Sequence, residues 1–308
     1  MVTGRRKPSP KRRHVEGRAA SRRRPSGAQA RPALARILVG LDGSSWSRAA
    51  VEQAVAIAHR TQAALTGVAI IDHREIDEAV GPEPMGAAYY AQRREEQLLR
   101  EARRHVAGLT AEFRACCERA RVPHFESVEE GVPFQRLVQD SLGHDLVVLG
   151  LRTYFHYPPS DKPGTTLEKV LRHGTRPVLA VREDSRPIRR AGVALDGSTQ
   201  AARTLQLFAL LCPWDLETLR LIHAGDDRPK ALALLEPGAA FLEAHGLHGE
   251  PVVLKGSPVN VIPEYVSSQD LDLLVMGAYG KALVSKFLFG SLTATLLAQP
   301  RASLFLAH

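Results

Sequence analysis

Three glycines and two hydroxyls near the carboxyl end of the chain are spaced to hold an anion. Gly277 closes an apolar run, LDLLVMG; Gly280 follows after two residues and Gly290 after nine more, with Ser291 and Thr293 directly behind it at the start of a helical pattern. Glycine lets main chain approach an anion closely, and the unsatisfied N–H groups at a helix start carry the positive end of its dipole. This set predicts a phosphate cradle built from the N–H groups of Gly290 to Leu292 and the hydroxyls of Ser291 and Thr293. The spacing is neither that of a P-loop nor that of a dinucleotide-binding turn, and glycines in such places also serve ordinary turns. Upstream, the run AGVALDGST puts Asp196 at the end of a strand. Ligands of open parallel sheets bind outside the carboxyl ends of the strands, where strand order reverses. Asp196 is therefore expected to face the glycine loop across one cleft.

The elements that position these residues occur twice. ARILVGLDGSSWSRAA near the amino end matches RRAGVALDGSTQAAR further on, with Asp42 and Asp196 as equivalents. An offset this long marks a duplicated domain rather than a solenoid, whose units run to about 20–50 residues. In the first half, strands are predicted at 36–41, 64–71, 124–129, 145–150 and 176–182, and helices at 46–60, 88–120, 132–141 and 165–173. In the second half, strands are predicted at 191–196, 217–224, 250–254, 271–277 and 302–307. Strands that alternate with helices, and that read as continuous apolar runs such as DLVVLG, belong in a parallel sheet covered on both faces. The expected organisation is a basic tail over 1–33, a first domain over 34–184 and a second over 185–308. With almost no linker between them, the two domains should pack on each other.

The G-x2-G-x9-G-[ST] loop, together with the repeated Leu-Asp-Gly-Ser, resembles the universal stress protein family, here in tandem over residues 34–308. The resemblance implies two Rossmann-like, adenine nucleotide alpha hydrolase-like α/β domains and ATP as the ligand, or ADP or AMP, with Mg2+ accompanying the nucleotide. It implies that Asp196 and Ala224 flank adenine and ribose, that Gly277 and Gly280 let the chain wrap ribose and phosphates, and that Gly290, Ser291, Leu292 and Thr293 hold phosphate. Met276 is either a base-packing residue or a core filler, and Lys281 either screens phosphate or is solvated. Family members pair through their last strands, which here implies an intrachain pseudo-dimer of Pro177–Val181 with Ser303–Leu306, beside a homodimer of whole chains. A nucleotide-dependent, cytoplasmic stress-response module is the implied role.

The first half departs from this pattern. Asp42 and Ile70 match the adenine end and Gly150, Gly164 and Thr165 parts of the loop, but Thr153 replaces the second glycine and Leu167 the last hydroxyl. Between Gly150 and Gly164 the segment YFHYPPSDKP carries three prolines, which remove N–H donors. Tyr154, Phe155 and Tyr157 offer rings instead, to cover the cleft or to contact a partner surface, so this segment is expected to close or repurpose the impaired site as a lid, the alternative being a first half kept as a structural support for the second. One dominant ATP site per chain follows.

The 308 residues carry a formal +8 charge, yet residues 1–31 hold 11 Lys or Arg and one acid, which leaves the rest at −2. The tail lacks apolar periodicity and is expected to be disordered. Its arginines suit nucleic-acid phosphates and its make-up is also that of a transit peptide without an apolar face; the plainest expectation is a solvated extension ahead of a domain beginning near Ala33. No apolar stretch reaches the roughly 18–20 residues of a membrane span. Cys116, Cys117 and Cys212 read as reduced, buried thiols, and His245 and His248 as a loop pair rather than metal ligands. No nucleophile elbow, metalloprotease, kinase or pyrophosphatase motif is present, so no catalytic residue and no metal site is assigned, and at most a slow ATPase is expected.

Overall fold

The computed structural model of the protein describes residues 33–72, 88–155, 166–184, 186–278 and 291–307. The expectations for the basic tail, for Gly164, Thr165, Gly280, Lys281 and Gly290, and for the lid beyond Phe155 lie outside them. In the first half, β1 (Arg36–Leu41), α1 (Ser45–Thr61), β2 (Ala64–Ile71), α2 (Ala88–Ala120), β3 (His124–Glu130), α3 (Pro133–Ser141), β4 (Leu146–Gly150), α4 (Thr166–His173) and β5 (Val178–Val181) alternate as predicted. The second half follows with β6 (Arg190–Ala194), α5 (Thr199–Leu211), β7 (Thr218–Ala224), α6 (Arg228–Ala244), β8 (Glu250–Leu254), α7 (Pro258–Ser268), β9 (Leu273–Gly277), α8 (Ser291–Ala298) and β10 (Ser303–Ala307).

The ten strands form one sheet in the order β3-β2-β1-β4-β5-β10-β9-β6-β7-β8. Within each half every pair is parallel, and the order reverses at the first strand: β1 lies between β2 and β4, and β6 between β7 and β9. The halves meet where β5 and β10 pair antiparallel, with Phe305 opposite Leu179 and Leu306 opposite Val178. The sheet is thus parallel except at this seam, and the seam is the expected pseudo-dimer contact. β5 is shorter than its apolar run, since Pro177 has no N–H to give to the ladder. β6 ends two residues before Asp196, although the Leu195 N–H still reaches Ile222 O at 2.9 Å.

Helices cover both faces because the strands are apolar on both. One buried layer gathers Ile37, Val39, Leu146, Leu273, Val275 and Phe305 against α1, α2, α5 and α6; the other gathers Leu38, Val147, Leu149, Leu274 and Met276 against α3, α4, α7 and α8. Both layers run through the seam, where Phe305 meets Phe208 edge-on at 5.8 Å between ring centres. The connection between the halves is packed too: Ile188 is buried, and the Gln53 side-chain amide of α1 donates to Arg186 O at 2.8 Å. The expectation of three buried thiols holds only for Cys117, whose burial pushes the thiol pKa up to about 12; Cys116 and Cys212 are half-buried, and all three are free. Consecutive residues point about 100° apart round a helix of 3.6 residues per turn, so Cys117 is buried in the core while Cys116 lies at its edge.

Candidate functional site

Both Leu-Asp-Gly-Ser repeats fold into the same turn. The Asp42 carboxylate takes the Ser44 N–H at 2.9 Å, and the Asp196 carboxylate takes the Ser198 N–H at 2.8 Å. The intervening glycines sit in the left-handed region, Gly43 at φ 80° and Gly197 at φ 77°, where other residues are strained. Each serine then caps the next helix: Ser44 Oγ accepts from Ser47 N and Ser198 Oγ from Ala201 N. The turn fixes the aspartate beside a helix start just beyond the carboxyl end of the first strand of its half.

In the second half this turn borders a cavity of about 350 Å³ outside the ends of β6, β7 and β9, at the point where strand order reverses. Such a volume lies within the usual range for small-ligand sites. Asp196 stands on its wall with Ala224 from the end of β7 and with Met276 and Gly277 from the end of β9. Ser291, Leu292 and Thr293 border it from the first turn of α8. The structure therefore brings together seven predicted residues from four separate elements. A Cβ on Gly277 would stand 3.2 Å from the Ala201 nitrogen and 3.2 Å from Gln200 Cβ, so glycine there lets β9 approach the start of α5. The Thr293 hydroxyl is buried and donates to Ala278 O at 3.1 Å, which ties α8 to the exit of β9. Its proton is committed to the main chain, whereas Ser291 is exposed at the cavity rim.

Two contributions were not foreseen from sequence. The first is the α7 entry, where Ser257, Pro258, Val259 and Ile262 form the wall facing Asp196's turn. The signal was available: Gly256-Ser-Pro258 is matched by Gly131-Val-Pro133 in the first half, and both glycines have positive φ, 120° and 133°. Helix starts of α5, α7 and α8 consequently converge on one space, each with N–H groups that no helical carbonyl satisfies. The second is His223 on β7. Its Nδ1 lies 2.7 Å from Leu195 O and so donates to that carbonyl, which fixes the ring in the wall of the cavity. Nothing in the local sequence marks this histidine, because its role follows from the pairing of β7 beside β6.

The first half uses the same frame differently. Asp42 Oδ1 accepts from both the N–H and the hydroxyl of Ser44, and Oδ2 accepts the Tyr154 N–H at 2.6 Å. Thr153, at the place of the second glycine, is buried and donates to Gly150 O at 2.6 Å, and Phe155 is buried in the same layer as Ile70, Leu149 and Leu167. Ile70 and Leu149 occupy the places of Ala224 and Met276. Gly150 packs against the Trp46 backbone, where an added Cβ would come within 2.9 Å.

Sheet order, paired turns and cavity define a doubled α/β protein of the doubly wound class, with a cavity at the reversal point of the second half. The family model for the universal stress protein family matches residues 34–182 and 187–307, and the chain belongs to that family. Among curated proteins it is similar to universal stress protein Slr1230 of Synechocystis, 29% identical over 156 residues, which cover 50% of this chain and 54% of that protein. The match therefore spans about half the length of that relative. Among solved structures it is similar to a universal stress protein from Archaeoglobus fulgidus DSM 4304, with a TM-score of 0.68, 17% identity and coverage of 90% of this chain and 99% of the other. A functionally unknown protein from Pseudomonas aeruginosa PAO1 matches with a TM-score of 0.57, 17% identity and coverage of 90% and 93%. At these identities the two structures speak to the fold.

Proposed function

We propose that the cavity of the second half binds ATP, or ADP or AMP, and that the protein acts as a nucleotide-dependent regulatory module of the stress-response kind. The observation that carries this reading is the convergence of one carboxylate, three helix starts and an apolar wall at the reversal point of a parallel sheet. Asp196 Oδ1 holds its own turn, and Oδ2 has no partner among the described residues, so it is available to a ribose hydroxyl or an exocyclic amine. Met276, Val259 and Ile262 supply apolar surface suited to a purine face. The α8 start and the adjoining glycines Gly280 and Gly290 are the proposed phosphate end, with Mg2+ arriving on the nucleotide. Hydrogen bonds to charged groups contribute roughly 1.5–3 kcal/mol each, so three or four of them with base packing are compatible with micromolar affinity, about −8 kcal/mol.

Membership of the universal stress protein family supports the regulatory reading over a catalytic one; the cavity lining is apolar side chains and hydroxyls with one carboxylate, Asp196, and one imidazole, His223, tied to Leu195 O. The deciding experiment is a mass spectrum of the small molecules released when the purified protein is denatured, followed by calorimetric titration with ATP. Release of an adenine nucleotide and one site per chain is the expected result. Absence of any nucleotide together with no heat on titration to millimolar ATP overturns the reading.

A further inference from the structure

We infer that the first half is internally liganded: the Phe155 ring and the Tyr154 amide occupy the place that the nucleoside part of the ligand takes in the second half. The inference rests on the nucleotide reading of the second cavity, and the internal repeat allows the two sites to be compared residue by residue.

The carboxylates differ first. Asp196 and Asp42 stand in the same turn with Oδ1 spent on the following serine, but Asp42 Oδ2 also holds the Tyr154 N–H at 2.6 Å. A main-chain donor thus sits where a ribose hydroxyl or an amine is proposed to sit on Asp196. The walls differ next. Ala194, which lines the second cavity, corresponds to Gly40, where a Cβ would stand 2.6 Å from Leu149 Cδ2, 3.0 Å from Phe155 Cζ and 3.6 Å from Phe155 Cε2, so the ring packs close beside that bare backbone. The ring is 5% exposed and belongs to the buried layer containing Ile70 and Leu149, the counterparts of Ala224 and Met276. An aromatic face and a hydrogen-bond donor, arriving on consecutive residues, reproduce the two features by which a nucleoside would be held. Thr153 completes the device, because its hydroxyl bond to Gly150 O pins the turn that delivers Tyr154 and Phe155. The absence of a Cβ at Gly40 leaves room for the Leu149 side chain and the ring together.

The test is methyl NMR on the full chain with labelled Ile and Met, using adenosine as the probe. Ile70 reports on the first half and Met276 on the second. In the native protein adenosine should shift Met276 and leave Ile70 unmoved; in Phe155→Ala it should shift both, and adding Asp42→Ala should abolish the Ile70 response alone. A folded Phe155→Ala protein whose Ile70 methyl stays unmoved by adenosine overturns the inference, and so does an Ile70 shift in the native protein. If Met276 responds neither to adenosine nor to millimolar ATP, the nucleotide reading of the second half fails, while Ile70 still decides whether removing the ring opens the first. Should Phe155→Ala not fold, Phe155→Leu shortens the plug while keeping the core apolar, and the same Ile70 criterion applies.

Discussion

The two aspartates show how one residue type in one turn acquires different duties. Asp196 keeps an oxygen at the cavity wall, whereas both oxygens of Asp42 are satisfied internally. Asp196→Asn should therefore weaken ATP binding about tenfold, the equivalent of roughly 1.4 kcal/mol, with little change in stability. Asp42→Asn should do the opposite, leaving ATP affinity unaltered and lowering stability by about 1–3 kcal/mol, because the new amide group cannot accept where it replaces an oxygen. Calorimetric titration and urea unfolding of the two variants check the contrast; equal loss of affinity in both would contradict it.

At the scale of elements, α3 is fastened to the sheet through His144, just past its end. The ring is buried, with Nδ1–H donating to Asp140 O at 2.7 Å and Nε2 accepting the Thr66 hydroxyl of β2 at 2.8 Å. Burial pushes its pKa down, and the nearby Arg36 and Arg176 act in the same direction, against the Asp140 carbonyl and the Asp145 carboxylate. Unfolded histidine takes up its proton near pH 6.5, so as the pH falls through that value the unfolded state binds more protons and stability is progressively lost. Asp140 works in the other direction: burial and the charge of Glu129 push its carboxyl pKa up, so the folded state gains from its protonation in more acidic solution. Urea unfolding between pH 7.5 and 5.5, a window flanking about pH 6.5, should show falling stability in the native protein and a flatter profile in His144→Gln. An unchanged slope in that variant would remove His144 as its source.

For the molecule as a whole, the β5–β10 seam turns two halves into one sheet with two shared buried layers. Phe305 is 1% exposed and packs on Phe208 within the seam. Phe305→Ala should cost about 3–5 kcal/mol, measured by denaturant unfolding, and should destabilise both halves together in one transition. Unfolding of the second half alone would show that the seam transmits no stability. The charge excess lies in residues 1–31, while the remainder is close to neutral. Their deletion should leave ATP affinity and melting temperature unchanged and remove any salt-dependent nucleic-acid binding. Loss of ATP binding on truncation would show instead that the tail reaches the cavity.

The alternation of strands and helices, the duplication and the turn chemistry were legible in the chain because each is local: apolar runs of strand length, periodic helices and Leu-Asp-Gly-Ser signals act over a few residues. Even the seam was foreseeable from the repeat and the family resemblance. That Asp196 faces the loop after Gly277 was inferred from strand-end logic, and the places of Ala224 and Met276 from the family resemblance; the structure puts all four with the α8 start around one cavity. What only tertiary structure decided involves neighbours distant in sequence. His223 reaches Leu195 because β7 lies beside β6, and Thr293 spends its hydroxyl on Ala278 because α8 closes over β9. Tyr154 finds Asp42 across 112 residues, and Gly40 admits the Phe155 ring, because β1 and β4 are adjacent in the sheet. Hydrogen-bond partners and packing space are properties of spatial neighbourhood, so the composition of the segment after Gly150 announced a different loop, and the fold determined what that loop occupies.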